Sequence, residues 1–265
     1  MPSEAGPSRR GNDTYVALLS GSHSGQDPNL AEAGHGTRVK VCGIVEPTEV
    51  DVLAAHQIDF VGLWWGVPGG PHDLDRERWR ALAGAVATRG LTPVLVTFAK
   101  DAEQLRETLE GSPVRWVQLH GYPTPGTVRK VKAIAVGADP IRVIKVLHVR
   151  GGECVEASLI GSYEKAGVDV FLFDTVSEDG RVGSTGLSLD AGVVTSLVDG
   201  LTRPFLLAGG ISADNRAAYE KLIAHPLFLG IDVDTNARGA DGKIGADNVE
   251  AISGAWRGPD REENR

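Results

Sequence analysis

Val39-Lys40-Val41-Cys42-Gly43-Ile44 is a short run rich in β-branched residues that alternates apolar and polar side chains and closes on glycine. It reads as a strand. The same kind of run returns at Phe60–Trp64, Thr92–Thr97, Arg115–Leu119, Arg142–Leu147, Val170–Phe173, Pro204–Leu207 and Phe228–Val233. A helix-like stretch follows each one, for example Arg76–Val86, Ala102–Leu109, Val155–Ala166 and Asn215–Ile223. Strands that alternate with helices predict a parallel sheet. Eight such units are the number that closes a (β/α)8 TIM barrel, and the 265 residues of the chain suit one barrel as a single domain. An open doubly wound sheet is the structural competitor.

Outside the repeating units the chain changes character. Residues 1–37 are rich in Gly, Ser, Asp and Asn and carry one short apolar run, Tyr15 to Leu19. This composition predicts a flexible N-terminal extension. The alternative is that Tyr15 to Leu19 adds a strand or packs at a barrel end. The barrel itself is expected over 38–256, and 257–265 read as a polar tail.

Composition narrows the function classes. Hydrophobic residues make up 42% and charged residues 23% of the chain, ordinary values for a soluble globular protein. A net charge of -8 argues against broad nucleic-acid binding, which needs a basic face. An anionic small molecule stays compatible, because one pocket can be positive on an acidic protein. Two cysteines, Cys42 and Cys154, form neither a disulfide framework nor a metal-ligand spacing. No apolar run is long enough to span a membrane, and the first residues lack the apolar core of a signal peptide. The expected compartment is the cytoplasm, and the expected partner is a small-molecule substrate, with neither nucleic acid nor membrane.

In a barrel of this kind the C-terminal ends of the strands carry the chemistry. Those ends read Lys40-Val41-Cys42-Gly43-Ile44, Gln118-Leu119-His120-Gly121, Ile144-Lys145-Val146, Phe173-Asp174-Thr175, Leu207-Ala208-Gly209-Gly210-Ile211 and Gly230-Ile231-Asp232-Val233. The loop after Asp174-Thr175 carries Gly183-Ser184-Thr185-Gly186. Singly, each has a bland explanation. A cysteine after a strand is a small buried hydrophobe, an aspartate before threonine caps a turn, and paired glycines make a tight bend. Together and in this order they mark a catalytic barrel mouth.

The set resembles the phosphoribosylanthranilate isomerase family of tryptophan biosynthesis across roughly 39–253. Related barrel isomerases of histidine biosynthesis use an aspartate where this chain has Cys42, so the cysteine favours the tryptophan-pathway branch. The resemblance implies an aldose–ketose isomerase that performs an Amadori rearrangement without cofactor or metal, as a monomer or homodimer. It makes Cys42 the general base and Asp174 the general acid. It places Lys40, Trp64, His72, Gln118, His120, Lys145, Gly183 and Thr185 at the substrate and Gly209, Gly210, Asp234 and Thr235 at its phosphate. The chemistry sets its own demands. A free thiol titrates near ~8.5, so a cysteine base must be stabilised as thiolate, and Lys40 lies two residues away on the same strand face. Asp174 must hold a proton long enough to donate it. Gly183 to Gly186 would form a closing loop.

Two stretches depart from the family pattern. Where the family carries Ser-Pro-Arg-Tyr after strand two, this chain has Gly70-Pro71-His72-Asp73, preceded by Trp64-Trp65. An imidazole does not replace a bidentate guanidinium for carboxylate recognition, while the two tryptophans offer stacking surface at the mouth. After strand eight the family's Val-Ser-Ser-Gly-Val-Glu is replaced by Val233-Asp234-Thr235-Asn236-Ala237-Arg238. An aspartate at the phosphate cradle repels a dianion unless Arg238 turns inward or Asp234 only caps a turn. Both departures fall where substrate is selected. They keep open a diverged relative in specialised metabolism, acting on another aromatic or non-phosphorylated compound, and a non-catalytic binding barrel.

Overall fold

Runs of Val, Ile, Leu and Phe bury both faces of every strand, as a parallel sheet covered by helices requires. A computed structural model of the chain describes residues 36–176 and 188–258. Within them, β1 (Arg38–Cys42), β2 (Phe60–Trp64), β3 (Thr92–Thr97), β4 (Trp116–Leu119), β5 (Arg142–Arg150), β6 (Val170–Thr175), β7 (Phe205–Leu207) and β8 (Phe228–Val233) follow one another in parallel. β4 pairs with β5 and β8 pairs back to β1, which closes the ring. The chain is a (β/α)8 barrel and not the open sheet. The Tyr15–Leu19 run and the Gly183–Gly186 loop lie outside the described residues.

The helices are α1 (Pro47–Ala55), α2 (Arg76–Thr88), α3 (Ala102–Leu109), α4 (Pro125–Lys132), α5 (Ile160–Ala166), α6 (Ala191–Val198), α7 (Glu220–Ile223) and α8 (Ala246–Arg257). Their starts follow local chemistry. Asp75, Asp101, Thr124 and Asp190 accept backbone N–H groups of the first turns of α2, α3, α4 and α6. Each such cap is worth about 1 kcal/mol. Arg257, expected in the polar tail, belongs to α8 and reaches Asp59 at 2.7 Å.

Period-2 alternation then divides each strand's side chains between two layers. Val39 and Val41 of β1, Val61 and Leu63 of β2 and Val143 and Leu147 of β5 join the core shared with Trp79, Leu82, Leu105 and Val128 of the helices. The residues between them face the barrel interior. Phe60 and Trp116 meet edge to face at its N-terminal end, with centroids 5.4 Å apart. The polar inward residues collect at the opposite end. Among the described residues no helix is long and apolar enough to cross a membrane.

Two helix expectations need correction. β5 runs on past Leu147 to Arg150, and Gly151-Gly152, both at positive φ (58° and 80°), turn it back into a two-residue antiparallel strand, Glu153–Cys154. Only glycine takes that pair of left-handed conformations cheaply. A 3-10 turn, Ala157–Leu159, comes next, and α5 begins at Ile160 instead of Val155. The Asn215–Ile223 stretch is likewise a 3-10 turn, Arg216–Tyr219, followed by a single α turn.

Candidate active site

Cys42 is the last residue of β1, and its side chain lines a pocket at the C-terminal end of the barrel together with Trp64, Gln118, His120, Asp174, Gly209, Gly210, Asp232, Asp234 and Thr235. Lys40 lies one inward position deeper. Its ammonium is fully buried and donates to the Cys42 sulfur at 3.0 Å and to Asp232 Oδ2 at 2.7 Å. The β1–β8 register sets that pair, with Lys40 opposite Asp232. Space for it comes from Gly62 on β2, where a Cβ would stand 2.4 Å from the sulfur and 3.0 Å from the ammonium. Trp64 Nε1 donates a second, longer bond to the sulfur at 3.4 Å.

Lys40 does sit beside Cys42, but the expected drop in the thiol's pKa does not follow. Burial pushes the thiol up to about 12, and Asp232 adds to that push while Lys40 opposes it. Lys40 is already committed to Asp232, so the ion pair is near neutral before any thiolate forms. Burial works against the ammonium's charge, yet Asp232 and Cys42 together hold Lys40 above its ordinary value. The Asp232 carboxyl is raised by its burial, against the pull of Lys40.

Across the pocket, Asp174 is the penultimate residue of β6, with its Oδ1 accepting the Thr175 N–H at 2.8 Å. Its Oδ2 stands 3.3 Å from Nε2 of His120. Four buried atoms in and beside this pocket lack a partner among the described residues: Gln118 Oε1, His120 Nδ1, Thr175 Oγ1 and Asp232 Oδ1. An unpaired buried polar atom costs about 1–3 kcal/mol, so a ligand that satisfies several of them gains both affinity and orientation.

The two departures meet on the other rim. His72 lies 3.8 Å from Asp234 and edge-on to Trp64. Burial lowers its pKa, so the ring is neutral near pH 7 and supplies no cation. Asp234 does not cap the turn that follows it with its side chain. It pairs with Arg238 at 2.8 Å, and Arg238 also donates to the Gly43 carbonyl at 2.7 Å. Arg238 has turned inward, but toward Asp234 and the loop after β1. Asn236 ties this loop to that after β7 by donating to the Ile211 carbonyl at 2.8 Å.

Two expected residues go elsewhere. Lys145 shares the outward parity of Val143 and Leu147, so it faces the helix layer and not the pocket. There it pairs with Glu156 at 3.0 Å, donates to the Val146 carbonyl and lies over the Tyr163 ring. Trp65 is also turned outward, into the helix-facing core beneath Arg76. Gly183 and Thr185 fall outside the described residues. Asp232 and Gly62 lacked an assigned role in the sequence, though Asp232 is readable once β8 is laid beside β1. His148 and Glu156 were hidden by the misplaced end of β5.

The fold and pocket define a class: a barrel with a cysteine, a carboxylate and unpaired polar groups converging at the C-terminal face, where barrel enzymes hold their chemistry. The comparisons narrow it. Residues 39–252 match the family model described as N-(5'phosphoribosyl)anthranilate (PRA) isomerase. The chain belongs to that family. N-(5'-phosphoribosyl)anthranilate isomerase 2 of Methanosarcina mazei is 30% identical over 209 residues, 77% of this chain and 87% of that protein. The N-(5'-phosphoribosyl)anthranilate isomerase of Haloferax volcanii is 30% identical over 220 residues, 83% of this chain and 92% of the relative. The crystal structure of the Thermus thermophilus phosphoribosyl anthranilate isomerase superposes with a TM-score of 0.66 at 21% identity, covering 83% of this chain and 98% of that one. These matches lend no support to a diverged substrate or a non-catalytic barrel.

Proposed function

We propose that the chain isomerises N-(5'-phosphoribosyl)anthranilate in tryptophan biosynthesis, in the cytoplasm, and that Cys42 and Asp174 carry the proton transfers. The observation that carries this reading is that one pocket of a family member brings Cys42 and Asp174 together, with Lys40 hydrogen-bonded to the thiol. Asp174 gives its proton to the ribose ring oxygen. The C1′–O bond breaks, and the nitrogen lone pair forms the iminium. Cys42 then removes the C2′ proton, and the C–H electron pair becomes the C1′=C2′ bond of the enolamine as the iminium pair returns to nitrogen. Tautomerisation gives the aminoketose. The thiol must first give up its own proton. Lys40 touches both sulfur and carboxylate, so it can take the thiol's proton while handing one to Asp232.

For the phosphate, backbone N–H groups around Gly209, Gly210 and Thr235 are the proposed cradle. Arg238 offsets Asp234 beside it. Replacing Asp234 with Ser removes a negative charge and releases one of the contacts that Arg238 makes, so inorganic phosphate should bind about fivefold tighter in calorimetric titration, as ~1 kcal/mol for one charge across a few ångströms of solvated rim gives. Unchanged affinity would place Asp234 outside the cradle.

The direct test is a fluorescence assay of the purified protein with freshly prepared phosphoribosylanthranilate. Turnover by the folded wild type supports the reading. A folded protein that leaves the substrate unchanged overturns it.

A further inference from the structure

Behind Asp174 lies a line of buried groups that the acid–base scheme does not use. His148 pairs in register with Asp174 across β5 and β6, so the two side chains start from neighbouring positions on the inward face. The His148 ring stands 5.7 Å, centroid to centroid, from that of His120, whose Nε2 faces Asp174. On its far side, His148 Nδ1 lies 2.7 Å from Glu156 Oε1. Glu156 is buried and held firmly, because it also accepts the His148 backbone N–H at 2.9 Å and the Lys145 ammonium at 3.0 Å. His120 Nδ1 and His148 Nε2 are both buried without a partner among the described residues.

The protonation pattern follows from one end. A carboxylate at Glu156 makes His148 carry its proton on Nδ1, which leaves Nε2 an acceptor. The unpaired Nδ1 of His120, on a ring 5.7 Å from that acceptor's ring, is then best a donor, Nδ1–H, reaching it through one water. That choice leaves His120 Nε2 with a lone pair facing Asp174. Resting on the isomerase reading, we propose that His148 and Glu156 are positioning residues that fix the tautomer of His120, so that its Nε2 lone pair faces Asp174 and shares the proton that Asp174 passes to the substrate.

The other groups around the line agree with this assignment. Lys145 reaches Glu156 from the helix side and keeps it anionic together with His148; the carboxyl sits at about 2 although burial works against its charge. Burial and the neighbouring Lys145 and His120 keep His148 neutral against the pull of Glu156. Tyr122 stacks on the solvent side of His148 with centroids 4.5 Å apart.

His148→Phe tests the proposal. An aromatic ring is kept, somewhat larger than the imidazole, and Glu156 retains Lys145 and the backbone N–H, so no buried charge is orphaned. In protein labelled with 15N-histidine, the wild-type His120 should carry its proton on Nδ1, and the variant should shift it toward Nε2. With phosphoribosylanthranilate, kcat should fall about tenfold while KM stays within about twofold, as for weakened general-acid catalysis. A wild-type His120 protonated on Nε2 overturns the proposal, as does a variant with unchanged tautomer and unchanged kcat. A wild type that turns over no substrate overturns the isomerase reading instead, and the 15N arm still reads the His120 tautomer on its own.

Discussion

Cys42→Ser should lower kcat by about 10²-fold or more, the usual range for removing a positioned base, while KM and the fold stay near wild type. A serine hydroxyl does not ionise at any working pH, so it cannot take the C2′ proton. Yet its oxygen still accepts the bonds that Lys40 and Trp64 give to the sulfur. Lys40 keeps Asp232, so no buried charge loses its partner. Thermal unfolding should therefore move little, and steady-state kinetics should report the loss in kcat. Wild-type-like turnover in this variant would remove Cys42 from the base role. The same thiol gives a pH signature in the ligand-free protein. Because burial and Asp232 push it up to about 12, the sulfur holds its proton at neutral pH. Alkylation by iodoacetamide should be slow there and accelerate as pH rises. A fast, pH-independent alkylation would instead mean a thiolate already formed without substrate.

The barrel was legible because its information is local. Eight runs that bury both faces, spaced by capped amphipathic stretches, leave few other ways to satisfy backbone hydrogen bonds. Phe60–Trp64, Thr92–Thr97 and Phe228–Val233 form strands over the predicted ranges. The pocket was legible for a related reason: inward residues at the ends of parallel strands must converge, so Cys42, Gln118, His120 and Asp174 meet. What the sequence hid depends on parity and register across the ring. Lys145 was counted at a strand end when its parity sends it to the helix layer. The charge on Cys42 could not be judged from Lys40 alone, because the partner that competes for Lys40 is Asp232, 192 residues away. Glu156 sat inside a presumed helix until the Gly151-Gly152 turn moved the helix start and brought it under His148. The rim around Asp234 stayed open between a repulsive site, an inward Arg238 and a turn cap, since the pairing with Arg238 is a side-chain choice that spacing permits without requiring it.

Asp174→Asn should cost kcat about as much as the cysteine variant, about 10²-fold or more, and for a different step. The amide keeps the local structure: its oxygen can accept the Thr175 N–H, and its NH2 can donate to His120 Nε2 if that nitrogen carries a lone pair. It cannot protonate the ribose ring oxygen, so ring opening becomes the slow step. Deuterium at C2′ separates the two losses. In Cys42→Ser, removal of the C2′ proton limits the residual rate, and the substitution should slow it further. In Asp174→Asn, the rate is set before that bond is touched, so the deuterated substrate should turn over at the speed of the protiated one. A strong isotope effect in Asp174→Asn would mean that ring opening does not need this carboxyl and that the acid lies elsewhere in the pocket. Unimpaired turnover would remove Asp174 from the reaction altogether.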